Sequence, residues 1–198
     1  MNDDMGEDSE KGFTLIELLV YMLLTGLVLA IVGAMMINTM RTSNTVSSVT
    51  DASSAGQLVA HSVEKGIRNS SDFLLTSPTG NDQLLLARTA LGGDPIQWMC
   101  AAWYYSPVDG GSIRYKVSTS AIVVATASDT ASWTLLDQGI VPKITAGTPP
   151  VPVGIFKKAA DERLVLSFSG LAGDHPPVDV TSSAVSRAGA TGEPICYP

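Results

Sequence analysis

Few residues in this chain of 198 have both the type and the setting for chemistry. Glu17 stands out, because it is the one charged residue among the 25 that run from Phe13 to Ile37, which are almost all apolar. A carboxylate at a bilayer centre costs about 2.5–3.5 kcal/mol on insertion scales, and less near the interface. Such a residue needs a partner and points to a function. The two histidines offer less. His61 lies beside an apolar helical stripe and reads as a packing or surface residue. His175 sits in the turn-like Gly173-Asp174-His175-Pro176-Pro177, and adjacent residues in a turn rarely face one another, so Asp174 and His175 do not read as a catalytic pair. No G-x-S-x-G elbow, phosphate loop or EF-hand-type calcium loop is present. Asp72, Asp82, Asp94 and Asp109 read as solvated loop acids, and Trp98, Trp103 and Trp133 as core or sheet residues rather than ligand platforms. Nothing clusters at metal-ligand spacing. No catalytic residue, metal or cofactor is expected, and the chain reads as non-enzymatic.

The element that carries Glu17 is long enough to span a bilayer, which needs roughly 20 apolar residues in a helix. A cleaved secretory signal would be shorter, with its cut after the apolar core. Beyond Ile37 no helix breaker intervenes. Apolar or small residues recur at Val49, Ala52, Gly56, Val59, Val63 and Ile67, in steps of three and four. That is one stripe of an amphipathic helix. One continuous helix is expected from Phe13 to about Asn69. Its first half (13–37) would span membrane, and its second (38–69) would lay the stripe on a sheet. Gly26 and Gly33, inside the span, fit close helix packing or local melting in a fibre, or else the ordinary use of small residues in membrane helices.

From Ser70 onward the texture is short strands and turns. Strands are expected at Gln83–Arg88, Gln97–Ser106, Ser112–Ser118, Ala121–Ala125, Ser132–Asp137, Val153–Lys158, Arg163–Ser169 and Pro177–Val185. Turn signals separate them at Ser77–Gly80, Gly92–Pro95, Asp109–Gly111 and Gly170–Gly173. The hairpin from Trp103 to Tyr115 is the most distinct. Thr145–Pro152 reads as a stiff extended loop.

Lys11-Gly12-Phe13-Thr14-Leu15-Ile16-Glu17-Leu18-Leu19-Val20 resembles the class III signal of type IV prepilins and type II secretion pseudopilins. The resemblance implies cleavage between Gly12 and Phe13 by a membrane prepilin peptidase, which also methylates the new amine of Phe13. Residues 1–12 would then be a leader peptide, and Glu17 falls at a position the family keeps acidic. When helices bundle, a neighbour's freed ammonium and Glu17 can pair, which partly offsets desolvation of both charges and fixes axial register. The implied fold is α+β, the type IV pilin fold: a long N-terminal helix, first membrane-spanning and then amphipathic, packed on an antiparallel β-sheet head (70–198). Major pilins often carry a proline where this chain has Ala34 next to Gly33, so local helix melting there is not implied.

The implied partners are other pilin subunits through the N-terminal helix, the peptidase, and the membrane before assembly. The implied location is the cytoplasmic (inner) membrane as a single-pass protein with its head outside, then a pilus or pseudopilus at the surface. Removing the leader, with its five acids and one lysine, takes the net charge from −7 to −3. No Lys/Arg cluster follows, so there is no strong nucleic-acid signal. In an exported head the two cysteines, Cys100 and Cys196, read as one disulfide, the alternative being two buried thiols. The aromatic strand ending Trp103-Tyr104-Tyr105, its glycine turn, and the closing strands Arg163–Phe168 and Val178–Arg187 resemble minor pilins of the PilW class and J-type pseudopilins. The implied function is a non-catalytic minor subunit that assembles or primes the fibre, the alternative being a pilus-tip adhesin or DNA-uptake binding module.

Overall fold

The computed structural model describes residues 14–124, 126–145, 151–152, 154–187 and 195–197. Helix α1 runs Leu15–Arg68, close to the span that the apolar pattern sets. Thr14 begins it. Its carbonyl accepts the Glu17 and Leu18 N–H groups at 3.0 and 3.2 Å, and its hydroxyl oxygen lies 3.3 Å from the Glu17 nitrogen, as an N-cap requires. Lys65 and Arg68 fall in the last turn, where positive charge suits the helix dipole. The chain divides into two compact units, 1–45 and 46–198.

The second unit holds the head. Strands β1 (Ser70–Thr76), β2 (Gln83–Ala90), β3 (Trp98–Ser106), β4 (Ser112–Ser118) and β5 (Thr134–Gln138) form an antiparallel sheet in sequential order. A second group follows: β6 (Ile140–Pro142), β7 (Ile144–Thr145), β8 (Val151–Pro152), β9 (Phe156–Lys158), β10 (Leu164–Ala172) and β11 (His175–Ala184). Here β10 is central, with β11 on one side and β6 and β9 on the other, while β7 and β8 pair as a separate ribbon.

The helical stripe from Ala52 through Gly56, Val59, Ala60 and Val63 to Ile67 is buried, and Val49 is half-buried. It contributes to a core with Leu85, Ala87, Ala101, Trp103 and Tyr105 of the first sheet and Leu164, Leu166 and Phe168 of the second. Gly66 is required by this packing: a Cβ there would stand 2.1 Å from the Trp103 ring. A second core lies on the other face of β2 and β3. There Leu84, Leu86, Ala102 and Tyr104 meet Ile122, Val124, Trp133 and Cys196. Buried on both faces, β2 and β3 read as near-continuous apolar runs instead of alternating.

Several expectations change. The first strand, β1, is mixed in polarity and follows the helix directly, so no periodicity marks it. Residues 121–124 are not a strand; Ile122 and Val124 instead cap the outer core, and Ala125 lies outside the described residues. Gly170–Gly173 is not the turn. Strand β10 continues to Ala172, the turn falls at Gly173-Asp174, and His175 begins β11 opposite Ala172. Part of the expected loop Thr145–Pro152 is paired, Thr145 with Val151, and residues 146–150 lie outside the described set. The expected hairpin is present, with Trp103 opposite Tyr115. Its exit needs glycine, since Gly111 has φ 88° and a Cβ there would lie 1.8 Å from the Ile140 carbonyl oxygen.

Candidate functional site

The described residues of the first unit lie on one stretch of helix, apolar from Leu15 to Ile37 except at Glu17, Tyr21 and Thr25. Its most hydrophobic 18-residue window has a mean hydropathy of 2.6 and none of that window is buried. Ile16, Leu29 and Met35 are each more than 60% exposed, on different sides of the helix. A helix that is apolar all round belongs in a membrane or among other helices. Glu17 is exposed in its first turn. Gly26 and Gly33 have open space where a side chain would project, so this helix alone does not explain them. The expected cleavage and methylation positions, Gly12 and Phe13, lie outside the described residues.

The head contains no assembled catalytic group among the described residues. His61 is exposed on α1 and His175 half-buried at the start of β11, and neither bonds an acidic side chain there. No group of three or more His, Cys, Asp or Glu side chains is placed to hold a metal among the described residues. Cys100 and Cys196 are joined, with Cα atoms 5.2 Å apart, and both are buried. The bond ties the C-terminal segment to the outer face of β3.

Two of the acids read as solvated loop residues depart from expectation. Asp82 is not solvated: it is buried in the hairpin mouth and accepts a hydrogen bond from the Tyr104 hydroxyl. Burial, then the Asp82 bond and charge, push the Tyr104 ionisation well above the ordinary tyrosine range. Asp72 is in strand β1, exposed, and accepts a bond from Tyr197. Asp94 and Asp109 are exposed as expected. Trp103 and Trp133 are core residues, and the Arg88 guanidinium lies 4.1 Å over the half-buried Trp98 ring. The Asp82–Tyr104 contact had no signal in the sequence, since it joins a turn residue to a strand residue 22 positions on.

The described residues form an α+β, type IV pilin-like architecture: one long helix, long and apolar enough at its N-terminal end to cross a membrane, and antiparallel sheets that share a core with its C-terminal half. Residues 8–33 match the family model of the prokaryotic N-terminal methylation motif. No curated protein and no solved structure matches the chain.

Proposed function

We propose that this chain is a non-catalytic minor subunit of a type IV pilus or of a related secretion pseudopilus, acting in assembly or priming of the fibre. The prepilin peptidase cuts between Gly12 and Phe13 and methylates the Phe13 amine. The protein then waits in the cytoplasmic membrane as a single-pass precursor with its head outside. On assembly its helix enters a bundle, where Glu17 pairs with the terminal ammonium of a neighbouring subunit. The observation that carries this is the methylation-motif match over residues 8–33, continuous with a helix whose most hydrophobic 18-residue window has none of its residues buried. A group that costs so much in lipid is retained where an opposite charge meets it. N-terminal sequencing of the protein from cells with and without the peptidase tests the proposal. A Phe13 end, methylated, is expected with the enzyme and a Met1 end without it. An intact Met1 end in normal cells would remove the proposal.

A further inference from the structure

Among the described residues, two that are not glycine hold a left-handed backbone: Asp109 (φ 53°, ψ 40°) and Glu162 (φ 61°). That conformation is disfavoured for any L side chain. Glu162 is tied in place, its carboxylate paired with the Lys158 ammonium and its N–H donating to the Ala159 carbonyl at 3.1 Å. The Asp109 carboxylate has no such tie among the described residues and stands exposed at the tip of the β3–β4 hairpin. The residue after it is Gly110. Every other described aspartate is followed by a residue with a side chain, and Pro95 after Asp94 has no N–H. A Cβ at Gly110 would meet nothing within 4 Å. The turn therefore has room to rotate, and no side chain shields the Gly110 nitrogen.

We infer that Asp109-Gly110 is a site of spontaneous covalent modification, in which aspartate becomes isoaspartate through a cyclic imide. With the Asp109 carboxyl neutral, the Gly110 backbone nitrogen attacks Cγ and closes a five-membered ring. The N–Cγ bond forms, the Cγ–OH bond breaks, and the hydroxyl leaves with the nitrogen's proton as water. Solvent water then opens the ring. Opening at Cγ restores aspartate, and opening at the main-chain carbonyl leaves the chain running through Cβ and Cγ, as isoaspartate. Nothing is oxidised or reduced, and water is the one co-reactant. The added main-chain carbon gives residue 109 a further rotatable bond, so the product need not hold the left-handed conformation. Glu162 would need a six-membered ring, and its carboxylate is already paired.

The lengthened turn adjoins a joint between the two sheets. The carbonyl of the buried Gly111 accepts the Gly139 and Ile140 N–H groups at 2.8 and 3.3 Å, and the Gly139 carbonyl accepts the Leu171 N–H at 2.8 Å. Space there is tight, since a Cβ at Gly111 would lie 1.8 Å from the Ile140 carbonyl oxygen. An added carbon at residue 109 shifts Gly111 and loosens this joint. The modification is thus an age mark with a structural effect, and it does not depend on the assembly role.

The test ages the full chain, solubilised in detergent, in neutral buffer and maps its peptides by mass spectrometry. Two products are expected at 109–110: one lighter by a water, and one of parent mass that elutes apart and fragments as isoaspartate. Amide exchange at Gly139 and Ile140 is expected to quicken as they accumulate. Asp109→Asn should reach the same products faster, with loss of ammonia, because an amide needs no prior protonation at neutral pH. Asp109→Glu keeps the charge and should abolish them. A folded chain that forms no product at residue 109 overturns the inference, and the free peptide 103–115 aged alongside shows whether the fold forbids the reaction. Equal conversion at Asp129 or Asp174 would overturn the assignment to this turn. Product at residue 109 with unchanged exchange at Gly139 and Ile140 would overturn the effect on the joint.

Discussion

The two units of this chain treat apolar side chains in opposite ways. In the head, Trp103 is 1% exposed, wedged against Gly66 of the helix. In the membrane half, Leu23 is 64% exposed and touches nothing that would hide it. The same chemistry therefore has two meanings. In the head it stabilises one fold at about 25 cal/mol for each Å² removed from water. In the helix it is a surface that gains nothing until lipid or another helix covers it. The head is also built twice over, with one core between its sheets and the amphipathic half of the helix and another on the outer face of β2 and β3. The most hydrophobic window of the helix has none of its residues in either core. Two kinds of folding information thus lie on one helix, and the division at residue 45 is where the second begins.

Equivalent truncations in the two units should break this comparison if it is wrong. Trp103→Ala removes a buried indole whose Nε1–H donates to the Ser62 hydroxyl at 3.0 Å. It should destabilise the head by about 3–5 kcal/mol, the usual cost of emptying such a site. Leu24→Ala, in the membrane half, should leave the denaturant midpoint of the head unchanged to within about 0.5 kcal/mol. Comparable losses from both would mean that the two units do not stabilise themselves separately. Next in size is the clasp on the outer core. Replacing Cys100 and Cys196 by serine should cost about 2–5 kcal/mol, read as a lowered midpoint that reducing agent no longer shifts.

A smaller effect separates the outer core from a merely greasy layer. Tyr104→Phe leaves the buried Asp82 carboxylate without its hydroxyl donor and should cost about 1–3 kcal/mol at neutral pH. The sign with pH follows from the raised ionisation of Tyr104. The fold holds the neutral phenol, so that stability is complete below the ordinary tyrosine value of 10.0 and is lost as the pH rises past it. The variant should therefore lose stability less steeply in alkali than the parent. Tyr105 and Tyr115, pushed up chiefly by burial, and Tyr197, pushed up by burial and then by its Asp72 bond, supply the slope that remains. Midpoints measured from neutral pH into alkali decide this, and parallel curves would show that Tyr104 does not ionise later in the fold than out of it.

Legibility in the sequence followed periodicity. The stripe from Ala52 to Ile67 and the unbroken run after Phe13 each repeat one rule over many residues, and the helix they define falls within two residues of the expected span. Strands β3 and β4 were legible because Val, Tyr and Trp flank a glycine turn that only a hairpin uses. The turn after β10 was misplaced because Gly170 is a strand residue close under the helix: a Cβ there would lie 3.5 Å from the Ala52 carbonyl oxygen. Glycine marks close approach as well as turns, and the sequence does not say which. Ile122 and Val124 alternate like a strand because they also point into a core, yet they make no ladder.

The smallest effect expected concerns Asp137, at the end of β5 beside an open hollow of about 300 Å³ that Asp51 and Gly173 also line. Burial raises its ionisation above the ordinary value of 3.8, and the Gln138 N–H bond at 2.7 Å only partly opposes this. A carboxyl raised in the fold lends stability that is complete below its ordinary value and is lost as the pH climbs through the raised one. At neutral pH the ionised Asp137 is thus a mild cost to a head that is otherwise well packed. Asp137→Asn keeps the acceptor for Gln138 and removes the charge. The variant should match the parent near pH ~4 and unfold at a slightly higher denaturant concentration near pH ~7, the gap opening through mild acid. A gap that closes with rising pH would mean that Asp137 is stabilised as the anion. The hollow, and not only the membrane helix, would then hold a group that wants a positive partner.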